Sequence, residues 1–160
     1  MNTFDKSVAL SQSILGAELD AGELDALAGA MGIATTRKGD YLVREGEPRR
    51  TLFVLADGRL SVCTQGDGGE QAIYQLRVGE VAGTRAFLDS SARKAGLRAE
   101  IDSTVLTLEP EAFEGLVNSH PWVIYKVMRA LFRVTHANLM RMNLESAELR
   151  NYMMKTGGRY

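Results

Sequence analysis

The chain has 160 residues, 45% of them hydrophobic and 24% charged, which favours one domain with a hydrophobic core. Its 19 Lys and Arg residues nearly balance its 20 Asp and Glu residues, and the formal net charge is -1. This balance argues against a dedicated nucleic-acid-binding protein, because such proteins usually carry a basic excess.

The first 31 residues are predicted to form N-terminal helices. A weakly amphipathic stretch, Phe4–Leu15, predicts the first helix. The second helix begins at Asp20, whose carboxylate can accept from the unpaired amides of the first turn, and Glu23 completes a capping-box spacing. The apolar residues that then recur at helical spacing are Leu24, Leu27, Ala28 and Met31.

Residues 32–109 change to short apolar segments separated by turn residues, a pattern typical of β-strands. The predicted strands are Ile33–Arg37, Tyr41–Arg44, Thr51–Ala56, Arg59–Thr64, Glu70–Arg77, Ala95–Glu100 and Ser103–Leu108. The glycine-rich segment 66–69 predicts a hairpin turn. Many short strands indicate a sandwich or barrel, because each half-buried strand needs an opposing sheet.

Residues 110–156 are predicted to be helical again. A short helix opens at Pro110 and runs to about Val117. His120-Pro121 ends it, since proline suits a first helical turn but not a helix interior. A long helix then runs from Trp122 to about Met154, and Gly157-Gly158 ends it.

The long helix carries a stripe with near-heptad spacing, which Glu145 interrupts. The stripe consists of Met128, Leu131, Thr135, Asn138, Met142, Leu149 and Tyr152. We expect its first half to pack on the β-structure of the same chain. The second half extends further, so we expect it to pair with its twin in a homodimer.

Two sequence segments resemble motifs of the cyclic nucleotide-binding domain family. Lys38–Glu47 looks like the family's G-x-x-[LIV]-x-x-x-G-[DE] turn, strand and turn, and Thr51–Val62 is similar to the strand pair that follows, with its glycine at Gly58. The resemblance covers nearly the whole chain. It implies one domain, 1–160, that is mainly β with flanking helices: a double-stranded β-helix (a jelly-roll-like β-roll), then a short helix and a long C-terminal helix. An unrelated jelly roll is the alternative.

The resemblance also implies a ligand site between two strands, in the segment from Val78 to Ala99. Family members carry a phosphate-binding cassette there, close to G-E-[LIV]-[AS]-x-[LF] and then P-R-[STA]-A. Its Arg and backbone amides hold the cyclic phosphate, and its Glu accepts from the ribose 2′-hydroxyl. Two alignments compete. Either Gly79-Glu80 is the G-E pair and Glu80 contacts the ribose, or Gly83-Thr84 takes that place. We prefer the second, which needs no gap and makes Arg93 the phosphate ligand.

The preferred alignment departs from the family pattern at four positions. Thr84 replaces the ribose-binding Glu, Arg85 replaces an aliphatic residue, Ala92 replaces the Pro, and Lys94 replaces a small residue. Loss of the carboxylate removes an interaction of roughly 1.5–3 kcal/mol, which lowers affinity for cyclic AMP or cyclic GMP about tenfold to more than a hundredfold. The candidate ligand-binding residues are Gly83, Thr84, Arg85, Ala86, Arg93 and Lys94.

Each of these residues also has a purely structural interpretation. Arg93 could pair only with a nearby carboxylate such as Asp89, and Thr84 could be a turn residue. Lys94 and Arg85 add positive charge near the anion site, which favours a ligand with more phosphate charge unless the pair is simply solvated.

In bacterial relatives the long helix pairs with its twin and closes over the ligand base. Thr135 and Asn138 are therefore candidates for base contacts, although an Asn on such a helix can also set the register of a coiled coil. Transcription factors of the family continue into a helix-turn-helix domain. This chain ends at Tyr160, so we expect no specific nucleic-acid binding and expect it to act through a partner protein.

Features of an enzyme are not apparent in the sequence. His120 and His136 have no metal-ligand spacing with each other or with Cys63, so we predict no catalytic residue, no metal site and no cofactor other than a possible cyclic nucleotide ligand. A cupin-type enzyme on a similar double-sheet roll is the alternative. The single cysteine allows no internal disulfide and no apolar run is long enough for a bilayer, so we expect a cytoplasmic protein with no membrane partner.

The sequence thus predicts a stand-alone regulatory or signalling module that resembles a cyclic-nucleotide receptor, with altered or lost binding of cyclic AMP and cyclic GMP. The alternative is a functional sensor of these nucleotides or of another one, such as a cyclic dinucleotide.

Overall fold

Two four-stranded antiparallel sheets and five helices form the computed structural model, which describes residues 4–157. The helices are α1 (Lys6–Ser11), α2 (Ala21–Ala30), α3 (Thr84–Asp89), α4 (Pro110–Glu114) and α5 (Pro121–Gly157). The strands are β1 (Gly32–Thr36), β2 (Tyr41–Val43), β3 (Leu52–Asp57), β4 (Leu60–Gly66), β5 (Gly69–Leu76), β6 (Val81–Ala82), β7 (Gly96–Ala99) and β8 (Ser103–Leu108). The predicted fold class, a mainly β roll with flanking helices, is confirmed.

The two sheets have the strand orders β1-β8-β3-β6 and β2-β7-β4-β5. Strand β3 is apolar on both faces because each face is covered. Phe53 and Leu55 pack between the two sheets, whereas Leu52 and Val54 pack against the helices. A continuous apolar run is what a strand buried on both sides requires, since successive side chains point to opposite faces.

Helices α2, α4 and α5 cover the outer face of the first sheet. The capping box predicted for α2 is present: Asp20 accepts from the Glu23 amide at 2.8 Å, and Glu23 accepts from the Asp20 amide at 3.0 Å. Leu27 of α2, Phe113 of α4 and Val127 of α5 meet in one core with the sheet.

The prediction of a first helix over Phe4–Leu15 is wrong in length. Helix α1 ends at Ser11, and turns follow. The Ser13 hydroxyl donates to the Leu10 carbonyl oxygen at 2.7 Å, and the chain folds back so closely that a Cβ on Gly16 would overlap this carbonyl. Leu10 and Leu15 are therefore both buried without sharing a helix.

Helix α5 packs on the roll only along its first third. Val123, Val127 and Leu131 are at most 1% exposed, whereas every residue from Thr135 to Thr156 is exposed. Three ion pairs join this packed part to the N-terminal region: Lys126 with Glu23 at 2.7 Å, and Arg133 and Arg129 with Glu18 at 2.7 and 3.5 Å.

Leu131 of the predicted stripe belongs to the core, in agreement with the expected packing of the stripe's first half on the same chain. One row among the exposed apolar side chains of α5 follows alternating steps of three and four residues, with Thr135 and Ser146 between its members. We call this set the α5 seam: Tyr125, Met128, Phe132, Leu139, Met142, Leu149 and Met153. Other apolar residues of α5, such as Met140 and Leu144, are also exposed. Asn138 and Tyr152 of the predicted stripe lie outside the seam. Gly158, the second glycine of the pair predicted to end this helix, lies outside the described residues. No helix in the described part is long and apolar enough to cross a membrane.

Candidate ligand-binding site

A cavity of about 520 Å³ lies between β5, the segment from Glu80 to Ala86, the loop before β7, and α5. Its volume is within the range of about 300–1,000 Å³ that is usual for small-molecule sites. All six residues of the predicted cassette line it, and so does Glu80. The remaining lining residues are Ile14, Val62, Ile73, Tyr74, Leu76, Val81, Ala82, Ala92, Ala95, Leu97, Val134, Asn138 and Arg141.

The guanidinium of Arg93 is buried in the wall of this cavity, with the residue only 6% exposed. Its backbone is fixed by two bonds to the turn after β2: its amide donates to the Glu47 carbonyl at 3.0 Å, and its carbonyl accepts from the Gly46 amide at 2.8 Å. The side chain donates from Nε to the Arg49 carbonyl at 2.8 Å and from Nη2 to the Thr51 carbonyl.

The charge of Arg93 has only neutral partners. Among the described residues no carboxylate forms an ion pair with it, and no protein acceptor takes a hydrogen bond from Nη1. The pairing with Asp89 that the sequence left open is thus not formed. Burial lowers the pKa of Arg93 and repulsion from Arg49 adds to this, whereas the carboxylates of Glu47 and Glu109, which form no ion pair with it, oppose the decrease. A guanidinium stays charged at any ordinary pH. A buried cation without an anion is unfavourable unless a ligand supplies one.

Gly83 brings the start of α3 against this guanidinium. Its φ is 92°, a left-handed conformation that glycine adopts without strain. A Cβ at this position would overlap Nη1 of Arg93 and lie 2.9 Å from the Thr51 carbonyl oxygen. The first-turn amides, from Thr84 to Ala86, lack acceptors within the helix because of helix geometry. Thr84 itself is half-buried, and its hydroxyl has no hydrogen bond among the described residues.

Glu80 also reaches the cavity, but its carboxylate is engaged. One oxygen accepts from the Tyr74 hydroxyl at 2.6 Å and the other from the Arg77 amide at 3.2 Å. The bond to Glu80 raises the pKa of Tyr74, and burial adds to the increase, whereas the nearby charges of Arg77 and Arg141 oppose it. These two bonds link Glu80 to the end of β5 and to the turn between β5 and β6.

Helix α5 supplies one wall through Val134, Asn138 and Arg141. These residues are four and three positions apart, so they share one helical face. Thr135, the second predicted base contact, does not line the cavity because it lies about 100° further round the helix. Tyr74 and Arg141 were not predicted from the sequence. Arg141 had a signal, since it follows Asn138 by one helical turn.

No group of three or more His, Cys, Asp and Glu side chains within residues 4–157 is placed to hold a metal ion. Among the charged side chains that line the cavity, the cations Arg85, Arg93, Lys94 and Arg141 outnumber the single carboxylate of Glu80, which suits an anionic ligand.

Residues 34–120 match the family profile of the cyclic nucleotide-binding domain. The chain is 38% identical over 85 residues to cGMP-dependent protein kinase 2 of Homo sapiens, a match that covers 51% of this chain and 11% of the kinase. It is 32% identical over 102 residues to patatin-like phospholipase domain-containing protein 6 of Homo sapiens, covering 59% of this chain and 7% of that protein. The matches thus span about a tenth of these curated relatives.

Solved structures share the fold. A cyclic nucleotide-binding domain from Methylobacillus flagellatus superposes with a TM-score of 0.78 at 20% identity, over 84% of this chain and 79% of that one. The Thermus thermophilus catabolite activator protein superposes with a TM-score of 0.72 at 24% identity, over 84% of this chain and 63% of that one. A third structure is a triple mutant of the regulatory subunit of a cAMP-independent protein kinase A from Trypanosoma brucei, bound to cAMP in its A site. It superposes with a TM-score of 0.68 at 25% identity, over 80% of this chain and 45% of that one.

Proposed function

Since the chain belongs to the cyclic nucleotide-binding domain family, we propose that it is a regulatory module whose cavity binds an anionic nucleotide through Arg93, with reduced or lost affinity for cyclic AMP and cyclic GMP. Domains of this family are regulatory rather than catalytic. The module acts through a partner protein and forms a homodimer along the α5 seam.

The observation that carries the proposal is the buried, unpaired charge of Arg93. Its Nε and Nη2 are used to fix the side chain to the Arg49 and Thr51 carbonyls, and Nη1 remains for a ligand beside Gly83. A phosphate oxygen there would form a charge-assisted hydrogen bond, which is about twice as strong as a neutral one.

The reduced affinity follows from Thr84. It lines the cavity at the first position of α3, where the family pattern has the glutamate that accepts from the ribose. A threonine hydroxyl is shorter and uncharged, so this acceptor is lost. Glu80 is the ribose contact only in the competing alignment, and its oxygens accept from the Tyr74 hydroxyl and the Arg77 amide.

The Trypanosoma brucei regulatory subunit, which shares this fold, belongs to a kinase that differs from a cAMP-dependent one. That regulatory subunit is described as cAMP-independent, and its triple mutant is described as bound to cAMP. The alternative function for the present chain is an active sensor of cyclic AMP, cyclic GMP or another nucleotide, such as a cyclic dinucleotide.

A thermal-shift screen with cyclic mononucleotides and cyclic dinucleotides, followed by calorimetric titration, tests the proposal, because a ligand that binds only the folded state raises the Tm. We expect weak or no binding of cyclic AMP and cyclic GMP, and loss of all nucleotide binding in Arg93→Ala and Arg93→Lys.

Arg37→Ala is the matched control, since Arg37 is exposed and does not line the cavity. Circular dichroism verifies that each variant is folded. Tight binding of cyclic AMP by the unmodified chain would contradict the altered pocket, and nucleotide binding that persists in folded Arg93→Ala would contradict the role of Arg93.

A further inference from the structure

The cavity holds more positive charge than a ligand with one phosphate needs. Its lining contains four cationic side chains, Arg85, Arg93, Lys94 and Arg141, against one carboxylate, Glu80. None of the four forms an ion pair with another described residue. The carboxylate of Glu80 accepts from the Tyr74 hydroxyl and the Arg77 amide. Even with its negative charge counted, the lining keeps a formal excess of positive charge.

The four cations come from different elements. Arg93 belongs to the loop before β7, with its guanidinium buried beside the start of α3, whereas Arg85 and Lys94 are exposed at the rim of the cavity. Arg141 enters from α5, on the same helical face as Asn138. Elsewhere on the chain, α5 cations that contact the body are matched with acids, as Lys126 is with Glu23. What distinguishes the four is that they line one concave site, since other described cations without an ion pair, such as Arg37 and Arg150, do not line it.

A cyclic mononucleotide carries a single phosphate charge, which Arg93 alone can meet. A concave site with one sign of charge and partly apolar walls concentrates its field and favours a ligand of higher opposite charge. The apolar part of the lining, with Val62, Leu76 and Leu97, provides a surface for a base.

We propose that the cavity selects a nucleotide with two phosphate groups held apart, one against Arg93 and the second towards Arg141, with Lys94 and Arg85 at the rim. This inference rests on the proposed function and names its ligand class. The chemistry is shared by cyclic dinucleotides, in which both phosphates belong to one ring, and by nucleoside 3′,5′-bisphosphates, in which they are separate.

The experiment is calorimetric titration of the full chain with cyclic di-AMP, cyclic di-GMP, adenosine 3′,5′-bisphosphate, cyclic AMP and cyclic GMP at one salt concentration. At least one two-phosphate nucleotide is expected to bind tenfold or more tightly than its one-phosphate counterpart. Arg141→Gln should reduce that affinity about tenfold to a hundredfold, the loss expected for one charge-assisted hydrogen bond. It should change the binding of one-phosphate nucleotides less than threefold.

Arg150→Gln is the matched control, because Arg150 is exposed on the same helix and does not line the cavity. The combined variant Arg85→Gln, Lys94→Gln tests the two cations at the rim of the cavity. It should also reduce the ratio of the affinity for two-phosphate nucleotides to that for one-phosphate nucleotides.

Equal affinity for one-phosphate and two-phosphate nucleotides, lost in Arg93→Ala, would overturn this inference and leave the proposed function intact. A preference for two-phosphate nucleotides that is unchanged in Arg141→Gln and in the combined variant would likewise overturn this inference and leave the proposed function intact. Absence of binding by every nucleotide to the folded chain would overturn both.

Discussion

Thr84 is the residue on which affinity for cyclic mononucleotides depends in our proposal. Thr84→Glu places a carboxylate on the cavity wall beside the start of α3 and restores an acceptor for a ribose hydroxyl. We expect the Kd for cyclic AMP or cyclic GMP to fall about tenfold to a hundredfold in calorimetric titration. Thr35→Glu, on an exposed position of β1, is the control and should leave the Kd unchanged.

The competing alignment makes the opposite prediction for this residue and for Glu80. If Glu80 were the ribose ligand, Thr84→Glu would have little effect and Glu80→Ala would abolish binding. In our alignment Glu80→Ala instead removes the acceptor of the Tyr74 hydroxyl and affects mainly the β5–β6 turn. That pair of results would therefore show the preferred alignment to be wrong.

Gly83 is required for two reasons, its left-handed backbone conformation and the close packing around its Cα. Their effects on stability can be measured separately. Gly83→Ala places a non-glycine residue in the left-handed region, which costs about 1–2 kcal/mol, and its Cβ also meets Arg93 and the fixed Thr51 carbonyl. Gly39→Ala has a similar φ of 88° with open space around the Cβ. We expect both to lower the Tm, at roughly 2–4 °C per kcal/mol, and Gly83→Ala to lower it clearly more. Equal decreases would indicate that Arg93 does not pack against Gly83.

Cys63 is buried and its thiol is expected to be inert. Burial, together with the nearby Glu70 carboxylate, raises its pKa to about 11. At pH 8 the thiolate fraction is then about 0.1%, compared with roughly a quarter for a free cysteine with a pKa near 8.5. Ellman's reagent should react with the native chain at pH 8 at least a hundredfold more slowly than with the chain in denaturant. Comparable rates would contradict the buried position.

At the scale of elements, most strands could be predicted because short apolar segments and turn glycines are local signals. Strand β3 is an example, since its five apolar residues are consecutive and Asp57 and Gly58 follow them. Helix α1 was predicted too long because the spacing of its apolar residues resembles that of a helix. Leu10 and Leu15 instead reach the core through a turn that the Ser13 hydroxyl closes. The two-residue strand β6 leaves no periodicity to detect.

Most of the site that could be predicted lies in one segment, since the cassette residues fall between Gly83 and Lys94 and a sequence motif can mark them. Asn138, which also lines the cavity, was indicated by the family resemblance. Tyr74 and Arg141 reach the cavity from β5 and α5, and their proximity depends on tertiary packing. The partners of Arg93 are backbone carbonyls of Arg49 and Thr51, which have no sequence signature.

The contact between α5 and the N-terminal region depends on pH through Glu18 and Glu23. The hydrogen bond from Arg133 lowers the pKa of Glu18, and the bond from the Asp20 amide, with that from Lys126, lowers the pKa of Glu23. A carboxyl group whose folded pKa lies below its unfolded value, about 4.3, stabilises the fold above that value and loses this effect as pH falls through the folded pKa.

We therefore expect Glu18→Gln, Glu23→Gln to have a lower Tm than the unmodified chain at pH 7, and the difference to shrink as the pH falls below about 4. Thermal unfolding monitored by circular dichroism from pH 7 to pH 3 measures this. Glu114→Gln is the control, because Glu114 is exposed and forms no ion pair with a described residue. A Tm difference that does not change with pH would show that these carboxylates do not anchor α5.

At the scale of the whole molecule, α5 has two sides with different roles. Val134, Asn138 and Arg141 face the ligand cavity, and the α5 seam faces away from the core. Leu139, Met142 and Leu149 of the seam are 53%, 58% and 60% exposed. A row of apolar side chains in alternating steps of three and four is the spacing with which two helices pack as a coiled coil.

We expect the chain to be a homodimer joined along the α5 seam, since pairing would remove this row from water. Met142→Glu combined with Leu149→Glu introduces like charges at the centre of the seam and should yield monomers in light scattering. Ala147→Glu combined with Asn151→Glu changes the same number of residues on the same part of the helix, but outside the seam, and should remain dimeric. Truncation before Met142 should also yield monomers. A monomeric unmodified chain at micromolar concentration, or a dimer that tolerates both seam substitutions, would contradict this interface.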